Sequence, residues 1–446
     1  MQDVNTNLRK LNPAAKPLAL ASALAALALA GCGSGNFIAV PTQIQGAALH
    51  GMVHGGQQPV SGSTIQLYAV GAAGYGSAAS PRIASTVTSL ADGSFSITGD
   101  YTCPSASAQV YITATQGNAG FNNNPNLAMM AALGPCGNLS ASTFVFIDEI
   151  TTVGSVWALS PFMTGPANIG SSAANSTGIA NAFLDVNTLV NTVTGTAPGA
   201  ALPAGTTVPN SEINTLADIL ASCINSGGGL AGSSTTCGML FSAANPGGTN
   251  GTAPTDTITA AMNIAQNPAL NLTALYGLIP TTPPFLPTLP GKPNDFTIAV
   301  NFTGGNLSGP SALAADSSGN IWITSTTNNI LAELSHTGTV RSGTGFTNSL
   351  NAPSGVAIDA AGAVWVTNKG NNTVSKFTTA GAPAATPYSG GGMNLPTGIA
   401  FDSSGNAWVS NSGNASVTQI NSTGTTLTNF TPSGAAAPLG IAVSSH

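Results

Sequence analysis

A 43-residue repeat fills the last third of this chain and constrains its fold more than any other feature. Pro310-Ser-Ala-Leu-Ala-Ala-Asp316-Ser-Ser-Gly319-Asn-Ile-Trp322 recurs as Pro353-Ser-Gly-Val-Ala-Ile-Asp359-Ala-Ala-Gly362-Ala-Val-Trp365, and again as Pro396-Thr-Gly-Ile-Ala-Phe-Asp402-Ser-Ser-Gly405-Asn-Ala-Trp408. Gly338, Gly381 and Gly424 keep the same spacing. A constant period in the 40s with several short strands per unit indicates propeller blades. Small residues at Ala312, Gly355 and Gly398 suit a first strand packed near a crowded axis. The Asp-x-x-Gly pairs predict tight hairpins, in which the carboxylate accepts turn amides and glycine takes the left-handed position. Trp322, Trp365 and Trp408 fall in second strands, where a broad side chain fills the gap between blades. Third strands are predicted at Ile330–Leu334, Thr373–Phe377 and Ser416–Ile420, and a fourth at Thr425–Phe430.

The pattern resembles NHL repeats and, more loosely, the blades of virginiamycin B lyases. That resemblance implies a propeller that binds proteins or other ligands, with a few lyases and hydrolases among its relatives. Propellers need four or more blades, whereas three complete units are present here. Thr297–Phe302 reads as an isolated fourth strand and Leu439–Val443 as an isolated first strand, so a truncated reading of a longer protein is expected. A ring completed by a partner chain is the alternative. The repeats hold one histidine, His336, expected in a solvated turn before Gly338. The three aspartates are assigned to their turns, and neither a metal nor another cofactor is expected.

At the other end, Arg9, Lys10 and Lys16 precede the apolar run 18–29 and then Ala30-Gly31-Cys32. This is the layout of a secretory signal, too short for a membrane span of ~20 residues. Leu29-Ala30-Gly31-Cys32 resembles the lipobox of bacterial lipoproteins. The resemblance implies a signal peptide at 1–31, acylation of Cys32 and, with Gly33 following, an outer-membrane location facing periplasm or exterior. An ordinary cleaved signal with a chance cysteine is the alternative. Removal of 1–31 leaves five basic and 13 acidic residues, a net charge of −8, so membrane contact would depend on the lipid. So few cations cannot neutralise many phosphates, which excludes nucleic acid as a partner. Cys103, Cys136, Cys223 and Cys237 remain, an even number that suggests two disulfides in an exported chain. The simplest pairing joins neighbours, and two other connectivities are possible.

Between these ends the expected fold class is multidomain and mainly β with a helical insert. A tether, 32–45, leads to a β-sandwich at 46–117, where Gly51-Met-Val-His54, Pro59-Val60-Ser-Gly62 and Ala91-Asp-Gly-Ser-Phe95 resemble carboxypeptidase regulatory-like domains, non-catalytic spacers in that family. His50 and His54 share a strand face ~13 Å apart, too far for one ion, and read as surface or satisfied residues. A loop-rich joint, 118–143, precedes a helical domain, 144–279, with helices predicted at 147–160, 178–193, 211–224, 256–265 and 272–278. Asp148-Glu149 is the one adjacent acidic pair; one of the two is expected to serve the helix start. The proline-rich segment 280–295 reads as a semi-rigid spacer ~40 Å long, and incomplete propeller blades occupy 296–446.

From Ile83 to Gly291 the chain has no Lys, Arg or His, so the groups that clamp anions, and the usual proton-transfer residue, are missing there. The favoured function is a non-enzymatic, lipid-anchored envelope protein whose blades bind an unknown protein or glycan or act as a scaffold. A lyase or hydrolase with its site in missing blades, and a structural surface component, are the alternatives.

Overall fold

Alternation builds the first sheets. In the computed structural model, which describes residues 42–200, 202–248, 251–434 and 436–443, the strand Leu49–Gly55 buries every second residue, and Thr64–Ala69 does the same with Ile65, Leu67 and Ala69. Leu49–Gly55 pairs antiparallel with Ser94–Ile97 and parallel with Phe144–Ile147. Thr64–Ala69 pairs with Gln109–Thr115, which pairs in turn with Ala128–Pro135. The latter strand lies inside the stretch expected to be a loop-rich joint. Its run of alanine and methionine lacks the β-branched residues that mark strands in sequence. It is held because Ala128, Met130 and Ala132 donate their outward N–H groups to the hydroxyls of Thr257, Thr152 and Ser155. Helical side chains thus close a sheet edge that would otherwise invite pairing with another chain.

Helices α1 (Glu149–Leu159), α2 (Ser176–Leu189), α3 (Asn210–Ile224), α4 (Thr236–Ala243), α5 (Thr257–Gln266) and α6 (Leu272–Tyr276) follow. Five match the predicted segments with shifted ends; α4 was not anticipated. Asp148 caps α1, accepting the Thr151 N–H at 2.8 Å while the Thr151 hydroxyl accepts the Asp148 N–H at 3.0 Å, a reciprocal box. Helices α1, α2 and α5 pack on Ala128–Pro135, and one hydrophobic core runs from Leu49 to Phe296. The segments expected as sandwich and helical domains therefore share their interior, and this part is called the body below.

The expected proline-rich spacer is instead a strap on α3. Phe285 N–H donates to Asp218 Oδ1 at 3.0 Å and Leu289 N–H to Thr215 Oγ1 at 2.8 Å, while Asn214 Nδ2 donates to the Pro287 carbonyl at 3.1 Å. Proline lacks an N–H but keeps its carbonyl, and polar side chains of α3 use both the carbonyls and the N–H groups between the prolines.

Three small antiparallel sheets then repeat. Blade one comprises Pro310–Ala315, Ile321–Ser325 and Ile330–Leu334, with a bridge from Leu331 to Phe346 at the fourth-strand position. Blade two comprises Pro353–Ile358, Val364–Asn368, Thr373–Phe377 and Tyr388–Ser389; blade three comprises Pro396–Phe401, Ala407–Asn411, Ser416–Ile420 and Leu427–Phe430. The third strands match the predicted ranges, and the last fourth strand starts at Leu427 instead of Thr425. Two expectations fail. Asn301–Phe302 pairs with Thr206–Thr207 of the body and not with a blade strand, and residues 439–443 lie outside any sheet ladder. The array is cored between blades: Trp322 and Leu331 meet Val356, Val364 and Val366, and Trp365 and Val374 meet Ile399 and Val409.

Candidate functional site

Each blade hairpin is organised by its aspartate. Asp316 Oδ1 accepts the N–H groups of Ser318 and Asn320, both at 2.9 Å, and its Oδ2 faces the Trp322 indole N–H at 3.3 Å. Asp359 accepts from Ala361, Ala363 and the Trp365 indole at 3.0, 2.9 and 2.9 Å; Asp402 accepts from Ser404, Asn406 and the Trp408 indole at 3.0, 2.8 and 2.9 Å. Gly319, Gly362 and Gly405 take φ of +80°, +85° and +81°, the left-handed corner these turns require. At Asp316 and Asp359 burial pushes the carboxyl up, but the summed hydrogen bonds outweigh it, and at Asp402 the Trp408 and Asn406 bonds dominate. All three are held below the ordinary carboxylate value. The aspartate therefore sets both the turn and the tilt of the tryptophan, a link that residue spacing alone did not show.

Each tryptophan packs on an aromatic ring of its own outer edge, and Trp365 also meets Phe401 of the next blade edge-on at 5.5 Å. Trp322 stacks on Phe346 (5.7 Å between centroids), Trp365 on Tyr388 (5.0 Å), and Trp408 lies tilted on Phe430 (5.4 Å). The outer sides of Phe346 and Tyr388 cover Gly381 and Gly424 of the next blade, where a Cβ would overlap the ring. Phe302 covers Gly338 in the same way, so it occupies a blade-like aromatic position although its strand pairs with the body. Lys376 Nζ sits 3.1 Å from Asp359 and 4.6 Å from the Trp365 ring centroid.

Near the axis, hydroxyls replace a sheet ladder between blades. Ser311 Oγ donates to the Ser354 carbonyl at 3.1 Å, Ser354 Oγ to Pro396 at 2.8 Å and Thr397 Oγ1 to Pro438 at 3.1 Å. At the loop end, Asn329 and Asn372 accept the N–H groups of Ala352 and Leu395, both at 2.7 Å. These bonds tie the second-to-third-strand loops 326–329 and 369–372 to the next connection, while the third, 412–415, has Ala415 at that position and is tied by Asn414 Nδ2, which donates to the Gly392 carbonyl at 2.9 Å; all three are largely exposed edges at one end of the array. Asn328, Asn371 and Asn414 keep the 43-residue spacing, a signal that was present in the sequence and not read.

Residues 350–377 match the NHL repeat family model. The match spans the first three strands of blade two. Among solved structures, a streptogramin B lyase is 19% identical with a TM-score of 0.28, covering 31% of this chain and 46% of that one. Virginiamycin B lyase from Staphylococcus aureus is 21% identical with a TM-score of 0.27, covering 34% and 47%. A chain of the nidogen/laminin complex is 18% identical with a TM-score of 0.26, covering 29% and 51%. The chain spans about half the length of these structures. No curated protein matches the sequence.

The remaining singled-out residues lie away from the NHL-type loops. Cys103 pairs with Cys136 and Cys223 with Cys237, whereas Cys32 is outside the described residues. His50 is exposed, but His54, expected at the surface or satisfied, has a buried Nε2 without a hydrogen-bond partner and a ring 4.9 Å from that of Phe146. His336, expected to be solvated, is half-buried, and its Nε2 is likewise closed off and unpartnered. Glu149 is fully buried and accepts the Gly56 N–H at 2.9 and 3.0 Å on its two oxygens, so Asp148 holds the start of α1 and Glu149 the turn at Gly56. Among the described residues, no three His, Cys, Asp or Glu side chains are grouped to hold a metal ion, and no helix is long and apolar enough to cross a membrane.

Proposed function

We propose that this chain is a lipid-anchored cell-envelope protein whose NHL-type blades serve as a binding or scaffold module. The observation that carries the reading is the set of three exposed second-to-third-strand loops at one end of the array, two of them held by an Asn acceptor to the neighbouring connection and the third by Asn414. A surface fixed in this way loses little conformational freedom on binding a partner. The two disulfides support an oxidising compartment, and the lipobox at 29–32 supplies the anchor. Two or more acyl chains on Cys32 would hold the protein durably at a bilayer.

The anchor is tested by metabolic labelling with an alkyne fatty acid. Wild type should carry the label and Cys32→Ala should lose it and leave the membrane fraction; full membrane retention of the variant would refute anchoring. The binding role is tested in cells with a photo-reactive residue at Asn371, and at Asn122 of the body as control. A discrete crosslinked species from Asn371 alone is expected, and equal labelling from both positions would remove the case for the loops.

A further inference from the structure

Where the body meets blade one, a cavity of about 380 Å³ is lined by Trp157, Leu189, Val300 and Phe302, with Asp185 and His336 on its wall. Its volume falls within the range of small-molecule sites, about 300–1,000 Å³. Both aromatic walls are fixed. The Trp157 indole donates to the Phe296 carbonyl at 2.9 Å, and the Phe302 ring is seated on Gly338.

The polar groups are unusual because nothing in the protein answers them. Among the described residues, Asp185 makes no side-chain hydrogen bond or ion pair, and burial pushes its carboxyl up to about 6. His336 Nε2 has no partner, and burial pushes the imidazole down, toward its neutral form. His336 also departs from the repeat, since Thr379 and Ser422 stand at the same place in blades two and three. No Lys or Arg lines the cavity. The site is thus aromatic, with one unpaired carboxylate and no Lys or Arg of its own.

That chemistry selects a ligand class. An anion would meet Asp185 without any compensating positive group. A neutral apolar molecule would fill the walls but leave a desolvated carboxylate unpaired, which is costly. An ammonium group offers N–H donors to the carboxylate and is attracted to aromatic faces. We propose that this cavity binds an organic ammonium ion with a small apolar body, Asp185 acting as counter-ion, Trp157 and Phe302 as the flanking rings, and the His336 ring as part of the wall.

The full chain is titrated with benzylammonium chloride by calorimetry and by tryptophan fluorescence, with benzyl alcohol and sodium benzoate as neutral and anionic controls. Saturable one-to-one binding of benzylammonium is expected, roughly tenfold or more tighter than benzyl alcohol, with no binding of benzoate. Asp185→Asn should lose roughly tenfold or more in affinity without lowering the thermal midpoint, because it removes a desolvated charge. His336→Thr installs the residue of blade two and should weaken binding severalfold; it gives an independent result if Asp185→Asn does not fold. Failure of benzylammonium to saturate, equal binding of benzyl alcohol, or unchanged affinity in either folded variant would overturn the proposal.

Discussion

The body and the blade array keep most of their carboxyls in different settings, deep in the core in the body and at part-exposed hairpin turns in the blades. In the body, burial pushes Asp148 and Asp218 up to about 7 and Glu149 well above its ordinary value, with the neighbouring carboxyls adding to the shift at Glu149. Glu212, half-buried and near Asp295, also rises to about 7. In the blades, Asp316, Asp359 and Asp402 are held below the ordinary value by turn amides and indoles, and Lys376 adds its charge at Asp359. The cause is burial. Asp148, Glu149 and Asp218 lie in the core, where desolvation favours the neutral acid, and Glu333, buried in blade one, is pushed up in the same way; the turn aspartates are part-exposed and their hydrogen bonds prevail. Two regions of one chain thus have separate cores and separate responses to pH, and each response can be tested alone.

The largest expected effect is in the blades. Trp365 is 3% exposed and lies between Tyr388 and Phe401, so Trp365→Ala should cost about 3–5 kcal/mol. Hydrogen exchange read by mass spectrometry should show protection lost in 353–430 and kept in 49–279. Equal loss in both would mean that the array and the body unfold as one unit. The mirror experiment is removal of the Cys103–Cys136 bridge by a double Cys→Ala variant. It closes a separation of 33 residues and should cost about 3–4 kcal/mol on the loop-entropy model, with the body losing protection and the blades keeping theirs.

How much of this was legible depends on repetition. Three copies of one pattern average out local accidents, and so the third strands at Ile330–Leu334, Thr373–Phe377 and Ser416–Ile420 coincide with their predicted ranges. The body has no second copy to read against. Ala128–Pro135 is buried on both faces and shows no alternation, while its Ala-Met-Met-Ala-Ala run has the residue preferences of a helix. Helix α4 spans only eight residues, with a glycine inside it, and depends on packing against α3 and on the Cys223–Cys237 bridge. The strap at 280–295 was read from its prolines alone, because its partners Asn214, Thr215 and Asp218 are some 70 residues away in sequence. The His336 and Asp185 cavity was hidden for the same reason: its walls come from α1, α2, the segment 298–302 and the first blade.

The pH responses sharpen the comparison. Body carboxyls with raised values bind protons in the folded state that the unfolded chain releases near pH 4. Their contribution is therefore complete below pH ~4 and is lost as pH rises through about 7. The blade aspartates contribute above their ordinary value and lose that contribution only as pH falls below ~4. Between pH 8 and pH 5 the thermal midpoint of the body should rise by about 2–4 °C, with a smaller rise in the blades, where Glu333 is the raised carboxyl. Glu149→Gln should flatten the body's response, because Gln keeps an acceptor for the Gly56 N–H and cannot titrate. A body midpoint that falls on acidification would contradict the buried carboxyls as its cause.

The smallest effect tests what holds blade to blade at the axis. Ser354 Oγ lies 2.8 Å from the Pro396 carbonyl of the next blade and 3.0 Å from Thr367 Oγ1, which in turn accepts the Gly355 N–H at 2.7 Å and donates to the Thr397 carbonyl at 3.0 Å. Ser354→Ala removes one strand-to-strand tie but leaves Thr367 bonded, so a loss of about 0.5–1.5 kcal/mol is expected. Thr367→Val keeps the shape of a fully buried side chain yet removes the hydroxyl from both sides of the junction, leaving the Gly355 N–H without its acceptor. It should cost more than Ser354→Ala, by the desolvation of that donor, about 1–3 kcal/mol. Urea denaturation followed by the blade tryptophans ranks the two. If Ser354→Ala proved the costlier, the direct bond to Pro396 would be the main tie and Thr367 only its spacer; if neither shifted the midpoint, the aromatic stacks between blades would suffice on their own.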